Sequence, residues 1–193
     1  KTDKTLTSTV AVNDGNWHHL VATRNSTSGA MAVYVDGVLN ASTTGPTGTK
    51  GAAAALRIGD LKSGGSGSFF KGVIDQVQIF NYTISATDVA SLYNRTNYLL
   101  PQPSGLVGYW KLDESSGGLS VDSSGNNITG TWENGPTFTT DKPSVITFTD
   151  PGSLLFNGSN QFVSMGAPTQ LPSGHQPRTI CAWAKSLGGS GYR

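Results

Sequence analysis

Apolar and polar residues alternate with a period of two along most of this chain, which predicts strands and little helix. From Asn16 to Val38 the pattern is dense. Trp17, His19 and Val21 share one face of a strand, and His18, Leu20 and Ala22 share the other. Neither face is polar, so this strand is expected to be covered on both sides. A loop of small polar residues at 25–29 separates it from a second apolar run, Met31 to Val35. Asp36-Gly37 then tolerates the positive φ angles of a type I′ turn. The prediction is a meander with strands at about 16–24, 30–35 and 38–43. Residues 1–12 alternate more weakly and read as a half-exposed strand, with Asn13-Asp14-Gly15 as the turn after it.

The run Phe69 to Phe80 is the strongest strand in the chain. Strict alternation puts Val73, Asp75, Val77 and Ile79 on one face and Ile74, Gln76, Gln78 and Phe80 on the other. One helix follows. Ser85 suits an N-cap, Asp88 completes a capping box, and Val89, Leu92 and Tyr93 recur at helical spacing. The helix should cover about 85–94 and lie against one edge of the sheets. Pro101 and Pro103 mark a linker over 95–104. Strands are then expected at 105–112, 128–132, 145–149, 153–156, 161–165 and 178–185, with turns at Asp113–Gly118 and Asp122–Asn127. A short strand at 55–59 lies between loops at 44–54 and 62–68. The fold class is all-β.

Composition agrees with that reading. Among 193 residues there are 25 glycines, and only 13% are charged, so tight turns and hydroxyl- and amide-rich loops dominate. The formal net charge of +1 gives no electrostatic case for nucleic acid or an anionic membrane surface. No apolar run approaches the ~20 residues a membrane helix needs. The single cysteine, Cys181, forms no internal disulfide and sits in a strand pattern, where it reads as a small core residue.

Several stretches together resemble the laminin-G-like branch of the concanavalin-A-like jelly rolls. They are the Trp17-His18-His19 strand with its Val33-Tyr-Val-Asp-Gly37 hairpin, and Gly72-Val-Ile-Asp-Gln-Val-Gln-Ile-Phe-Asn81 with the Ser85 helix. The others are Gly105-Leu-Val-Gly-Tyr-Trp-Lys-Leu-Asp-Glu114, Asp122-Ser-Ser-Gly-Asn126, Leu155-Phe-Asn-Gly158 and Thr179-Ile-Cys-Ala-Trp183. The resemblance implies an antiparallel jelly-roll β-sandwich with one short helix. The pieces stand in swapped order. Residues 1–94 resemble the C-terminal half of a module, 95–104 link, and 105–193 resemble the N-terminal half. About two strands' worth of family sequence is missing between the halves. Two arrangements satisfy this order: one permuted sandwich in which the halves close on each other, or half-modules that complete neighbouring copies through strand edges.

Chemistry is sparse. His18 and His19 are adjacent on a strand and point to opposite faces, so they do not share an ion and read as packed or hydrogen-bonded rings. His175 lies in a loop. Asp113 and Glu114 diverge, whereas a glycosidase needs two carboxyl groups about 5–10 Å apart. They read as a turn-forming acid and a solvated one, and the Glu-X-Asp-X-X-Glu strand of jelly-roll glucanases is missing. The expectation is a non-enzyme. Calcium suits the turn at Asp122, which offers a carboxylate, amides and free carbonyls. The resemblance implies calcium there with Asp75 as the partner acid, so the expected metal set is Asp122, Asp75, Gly125 and Asn126. The alternative is an Asx turn at Asp122 and an Asp75 that accepts hydrogen bonds. Trp132, beside Glu133-Asn134-Gly135, is the tryptophan best placed as a sugar-stacking surface, while Trp17, Trp110 and Trp183 read as core. Six Asn-X-Ser/Thr triplets, at Asn25, Asn40, Asn81, Asn94, Asn127 and Asn157, permit glycosylation in a secreted protein. The expected function is a binding or adhesion module outside the cell or on its surface, recognising glycan or an extracellular protein. The competing expectation is a structural subunit that self-assembles through strand edges.

Overall fold

The computed structural model describes residues 4–47, 55–60, 69–94, 105–174 and 176–188. The linker 95–104, the loop 62–68 and His175 lie outside the described residues. The strands in chain order are β1 (Trp17–Arg24), β2 (Ala30–Val35), β3 (Val38–Thr44), β4 (Arg57–Ile58) and β5 (Lys71–Phe80). Helix α1 (Ala86–Tyr93) follows. Then come β6 (Leu106–Trp110), β7 (Leu119–Ser120), β8 (Gly130–Glu133), β9 (Thr137–Thr139), β10 (Ser153–Asn157), β11 (Phe162–Ser164) and β12 (Arg178–Ser186). They form an antiparallel sandwich. The large sheet runs β3-β2-β1-β12-β5-β10-β9, with β6 also paired to β5, and the small sheet runs β4-β11-β8-β7. The large sheet thus draws strands from both sides of the 95–104 segment.

The meander forms as its sequence predicts. Asp36 and Gly37 have φ of 50° and 80°, the two positive angles of a type I′ turn. Between the sheets, Ile74, Val77, Ile79, Trp110, Leu154 and Phe156 of the large sheet pack on Ile58 and Val163 of the small one. The Trp110 indole N–H donates to the carbonyl of Ile128 at 2.7 Å, so its polar atom is satisfied inside that core. Helix α1 starts at the Ser85 capping box, with the Asp88 N–H donating to Ser85 Oγ and the Ser85 N–H to Asp88 Oδ2. It lies on the outer face of the large sheet, toward the edge that β3 forms. Val89 and Leu92 pack on Val21, Tyr34, Phe80, Tyr109 and Cys181, because that face carries a second apolar surface.

Three expectations need correction, and two short strands were not expected. Residues 4–12 form no strand; Ser8 and Thr9 instead dock by hydrogen bonds to the Asn40 side chain on β3. Residues 145–149 form none either, because a turn closed by the Ile146 N–H on the Pro143 carbonyl breaks the extended run. The short strands β7 and β9 carry too little pattern to be read from sequence. Strict alternation also fails in β5. Register moves from Trp183 opposite Asp75 to Cys181 opposite Gln78, so Gln76 and Val77 face the single residue Ala182. This is a β-bulge, with Gln76 at φ 52°. Past it the parity reverses, and Ile74 shares one core with Val77 and Ile79.

Candidate metal centre

The bulge in β5 coincides with a fork in the sheet. On one edge, β5 pairs with β10 up to Ile74 opposite Leu154, and with β6 from Val77 opposite Trp110. Asp75 and Gln76 stand where the partner changes. β6 ends at Trp110, and Leu112, buried and at φ 62°, turns the chain so that Asp113 enters the fork. Asp150 enters from the other branch, just ahead of β10. Single carboxylate oxygens of Asp75, Asp113 and Asp150 all lie within 4.8 Å of one another.

This cluster is costly as it stands. Asp75 is fully buried and Asp150 nearly so. Both oxygens of Asp75, both of Asp150 and Asp113 Oδ1 are buried without a well-aligned hydrogen-bond partner among the described residues; the Gln76 N–H is near enough to Asp75 to favour its ionised form, but Asp150 crowds both other acids. Burial, then the neighbouring Asp150 and Asp113, push the Asp75 carboxyl up to about 10. Burial and Asp150 push Asp113 up to about 7. Two non-glycine residues with positive φ, Gln76 and Leu112, flank the acids. Such backbone costs on the order of 1–3 kcal/mol each and collects at functional sites. A hard dication would reverse this electrostatic logic, since it needs ionised oxygens and no donors. Two oxygens bound to calcium at about 2.4 Å lie at most about 4.8 Å apart, which matches the cluster. The residues therefore fit calcium, with main-chain carbonyls or water left to complete the usual six to eight ligands.

Of the expected metal set, only Asp75 is in this cluster. Asp122 stands outside it. Its Oδ1 accepts the N–H groups of Tyr109 and Ser124, and its Oδ2 accepts Ser124 Oγ and the Ile128 N–H, all at 2.9–3.0 Å. Those bonds saturate the carboxylate as an Asx-type cap that ties the 122–128 turn to β6. Gly125 and Asn126 belong to the same turn, where the Asn126 amide donates to the Val107 carbonyl at 3.3 Å. Asp113 was readable only as a turn residue and Asp150 carried no signal. What joins them to Asp75 is the fork, which no local pattern encodes.

The other candidates have plain roles. His18 Nδ1 lies 2.8 Å from Asp36 Oδ2, and Nε2 lies 3.1 Å from Asp14 Oδ1. Burial works against its charge, but the hydrogen bonds to Asp36 and Asp14 outweigh that and raise its pKa. His19 is buried on the opposite face, its ring 5.1 Å from Trp183 and 6.2 Å from Tyr93. Glu114 Oε1 accepts the Val121 N–H at 2.8 Å. Trp132 lies in strand β8 rather than a loop; it packs against the inter-sheet core, and its indole N–H donates to Ser120 Oγ at 2.8 Å. Trp17 is half-buried and donates to Asp141 at 2.9 Å. Among the sequons, Asn81, Asn94, Asn127 and Asn157 are exposed, whereas Asn25 and Asn40 are half-buried and their side-chain oxygens accept backbone N–H groups.

Comparison with known proteins agrees with this architecture. Residues 1–90 match the family model described as the concanavalin A-like lectin/glucanases superfamily. The chain is 37% identical over 127 residues to the Sushi, von Willebrand factor type A, EGF and pentraxin domain-containing protein 1 of Rattus norvegicus. That alignment covers 58% of this chain and 4% of the rat protein. The Mus musculus protein of the same name is 35% identical over 127 residues, with the same coverage. The chain thus spans only a small part of the length of these relatives. No solved structure matches it significantly.

Proposed function

We propose that this laminin G-like β-sandwich is a non-catalytic binding module of an extracellular protein, braced by calcium on Asp75, Asp113 and Asp150. The observation that carries the calcium reading is the buried acid trio with its unpartnered oxygens. Ionised and metal-free, these side chains would oppose the fold at the seam where β5 exchanges β10 for β6. Calcium supplies the positive charge that lets all three ionise, and so fastens the branches of the fork to the central strand. Its chemistry here is structural. Asp75 is fully buried, out of reach of a polymeric substrate, and Glu114 is engaged by a turn N–H, which supports a binding role over hydrolysis. The extracellular setting rests on the family and on the multidomain relatives, and the ligand is glycan or a protein surface.

Titration calorimetry with calcium, on the wild type and the Asp150→Asn variant, tests the brace. One tight site in the wild type and none in the variant is the expected result. Binding unchanged in the variant would refute this assignment. Glycan arrays and immobilised extracellular matrix proteins, probed with and without calcium, test the binding role.

A second reading, that half-modules complete one another between chains, rests on the swapped sequence order. The shared large sheet supports closure within one chain instead. Light scattering decides between them: one chain's mass favours closure, and large regular particles favour exchange.

A further inference from the structure

Each of the four tryptophans has one indole N–H to satisfy. Trp17 donates to Asp141, Trp110 to the Ile128 carbonyl and Trp132 to Ser120. Trp183 differs from them. It is 2% exposed, and its Nε1 has no hydrogen-bond partner among the described residues. A buried donor without an acceptor is rare and calls for a cause. Ala182 packs against the inter-sheet core, so its neighbour Trp183 faces the helix side of the large sheet. There its ring lies 5.6 Å from that of Tyr93 on α1, at 26°, and 5.1 Å from that of His19. Ring contacts on two sides hold the indole in place.

Directly opposite Trp183, on β5, stands Asp75. The Cβ atoms of such a pair lie about 4.5–5.5 Å apart on one face of the sheet. A buried donor and a buried acid, neither with a well-aligned partner, are therefore cross-strand neighbours. The Gln76 N–H near Asp75 is shared with the Lys111 carbonyl, 3.4 Å from the nitrogen. Gln76 Nε2 is another buried donor without a partner, but that side chain is tied by the Tyr109 hydroxyl, which donates to its Oε1.

We propose that Trp183 is a positioning residue of the calcium site: with the ion bound, its indole N–H donates to the Asp75 carboxylate and holds it against the ion. This rests on the calcium reading above. An ion that takes one oxygen from each acid leaves Asp75 a second oxygen, which only accepts. A charge-assisted bond from a fixed donor satisfies that oxygen and orients the first. Donor and acid, each without a good partner as the fork stands, then satisfy each other.

The test uses the full chain and calcium as the probe. Calorimetry compares the wild type, Trp183→Phe and a protein with Trp183 replaced by benzothienylalanine, which keeps the ring shape and lacks the N–H. Both replacements should weaken calcium binding about 10–100-fold, the usual effect of losing a bond to a metal-binding group. Trp132→Phe, which also loses an indole bond, should bind calcium like the wild type. If Trp183→Phe fails to fold, the isosteric protein carries the comparison. In NMR of the nitrogen-15-labelled wild type, the Trp183 indole signal is the one missing from the isosteric protein. Calcium should move it downfield and slow its exchange with solvent, and should leave the Trp110 signal in place. Unchanged calcium affinity in the isosteric protein, or a Trp183 signal that calcium does not move, would overturn the proposal and leave the calcium reading standing. No calcium heat in the wild type would overturn both.

Discussion

Replacing Asp75 by asparagine removes one ionisable group from the fork and keeps its shape. In chelator, the native Asp75 holds its proton to about pH 10, whereas in the unfolded chain it titrates at the ordinary aspartate value of 3.8. Above pH 3.8 the unfolded state has therefore released a proton that the native state keeps. The native state binds more protons, so this residue's contribution to stability is complete below pH 3.8 and is lost as pH rises. The loss is about 1.4 kcal/mol per pH unit, or on the order of 4 kcal/mol by pH 7. At about 2–4 °C per kcal/mol for a chain of this size, that is roughly 10 °C in melting temperature. Calcium reverses the sign, because it binds only the ionised trio; at a hundredfold excess over Kd it adds about 2.7 kcal/mol.

Other acids pull the opposite way. Hydrogen bonds from Asn16 hold Asp14 down to about 2, for example. The readout is therefore the difference between the wild type and Asp75→Asn, in urea midpoints from pH 4 to 8, with chelator and with calcium. In chelator the variant should gain on the wild type steadily as pH rises. In calcium the wild type should recover and the variant should not. The buried amide of the variant lacks a partner, which costs about 1–3 kcal/mol at every pH and shifts its curve without bending it. Parallel curves in chelator, or equal calcium stabilisation of both proteins, would refute the reasoning.

Gly72→Ala should destabilise the protein by about 1–3 kcal/mol or more in chemical denaturation. Gly72 is at φ 148°, and a Cβ there would meet the Lys185 carbonyl oxygen, backbone that cannot move aside. Leu92→Ala on the buried face of α1 should cost about 2–5 kcal/mol in the same assay and leave calcium affinity unchanged. His18 should titrate above 6.5 by NMR; its ion pairs stabilise the fold fully below that pH and are lost as pH rises through the folded pKa, and Asp36→Asn should lower that pKa. Trp132→Phe should lose about 1 kcal/mol with the bond to Ser120, and should leave the affinity of any glycan found on the array unchanged.

The legible parts of this fold were those whose signal is local. The Asp36-Gly37 turn, the Ser85 capping box and the Asn16–Arg24 strand each rest on residues within a few positions of one another, and each forms as read. Trp110 and Trp183 were readable as core for the same reason. Errors fell where a remote partner decides. The Val145–Thr149 run has the composition of a strand but is turned aside at Pro143. Asp122 has the composition of a calcium loop, and the structure adds what sequence could not show, four hydrogen bonds that its carboxylate accepts from its own turn and from β6.

The candidate metal site, of whose three acids the sequence reading named Asp75 alone, was partly legible for a structural reason. Alternation in β5 places Asp75 in phase with Val77 and Ile79, as a polar residue on an apolar face. The bulge cancels that phase, separating Asp75 from the inter-sheet core to which Val77 and Ile79 belong. A bulge of this kind is needed because one edge of β5 must serve two partners. Past Ile74 the ladder to β10 stops, and before Val77 the ladder to β6 has not begun. Two residues without ladder partners on that edge leave a gap that apolar side chains would have to fill on both branches. Instead each branch supplies one acid, and the strand supplies the third. An acidic trio is a poor filler unless something positive joins it, and a joined trio holds three separate segments at one point. Strand exchange and the proposed metal binding would then be one device, and deleting either should loosen the other.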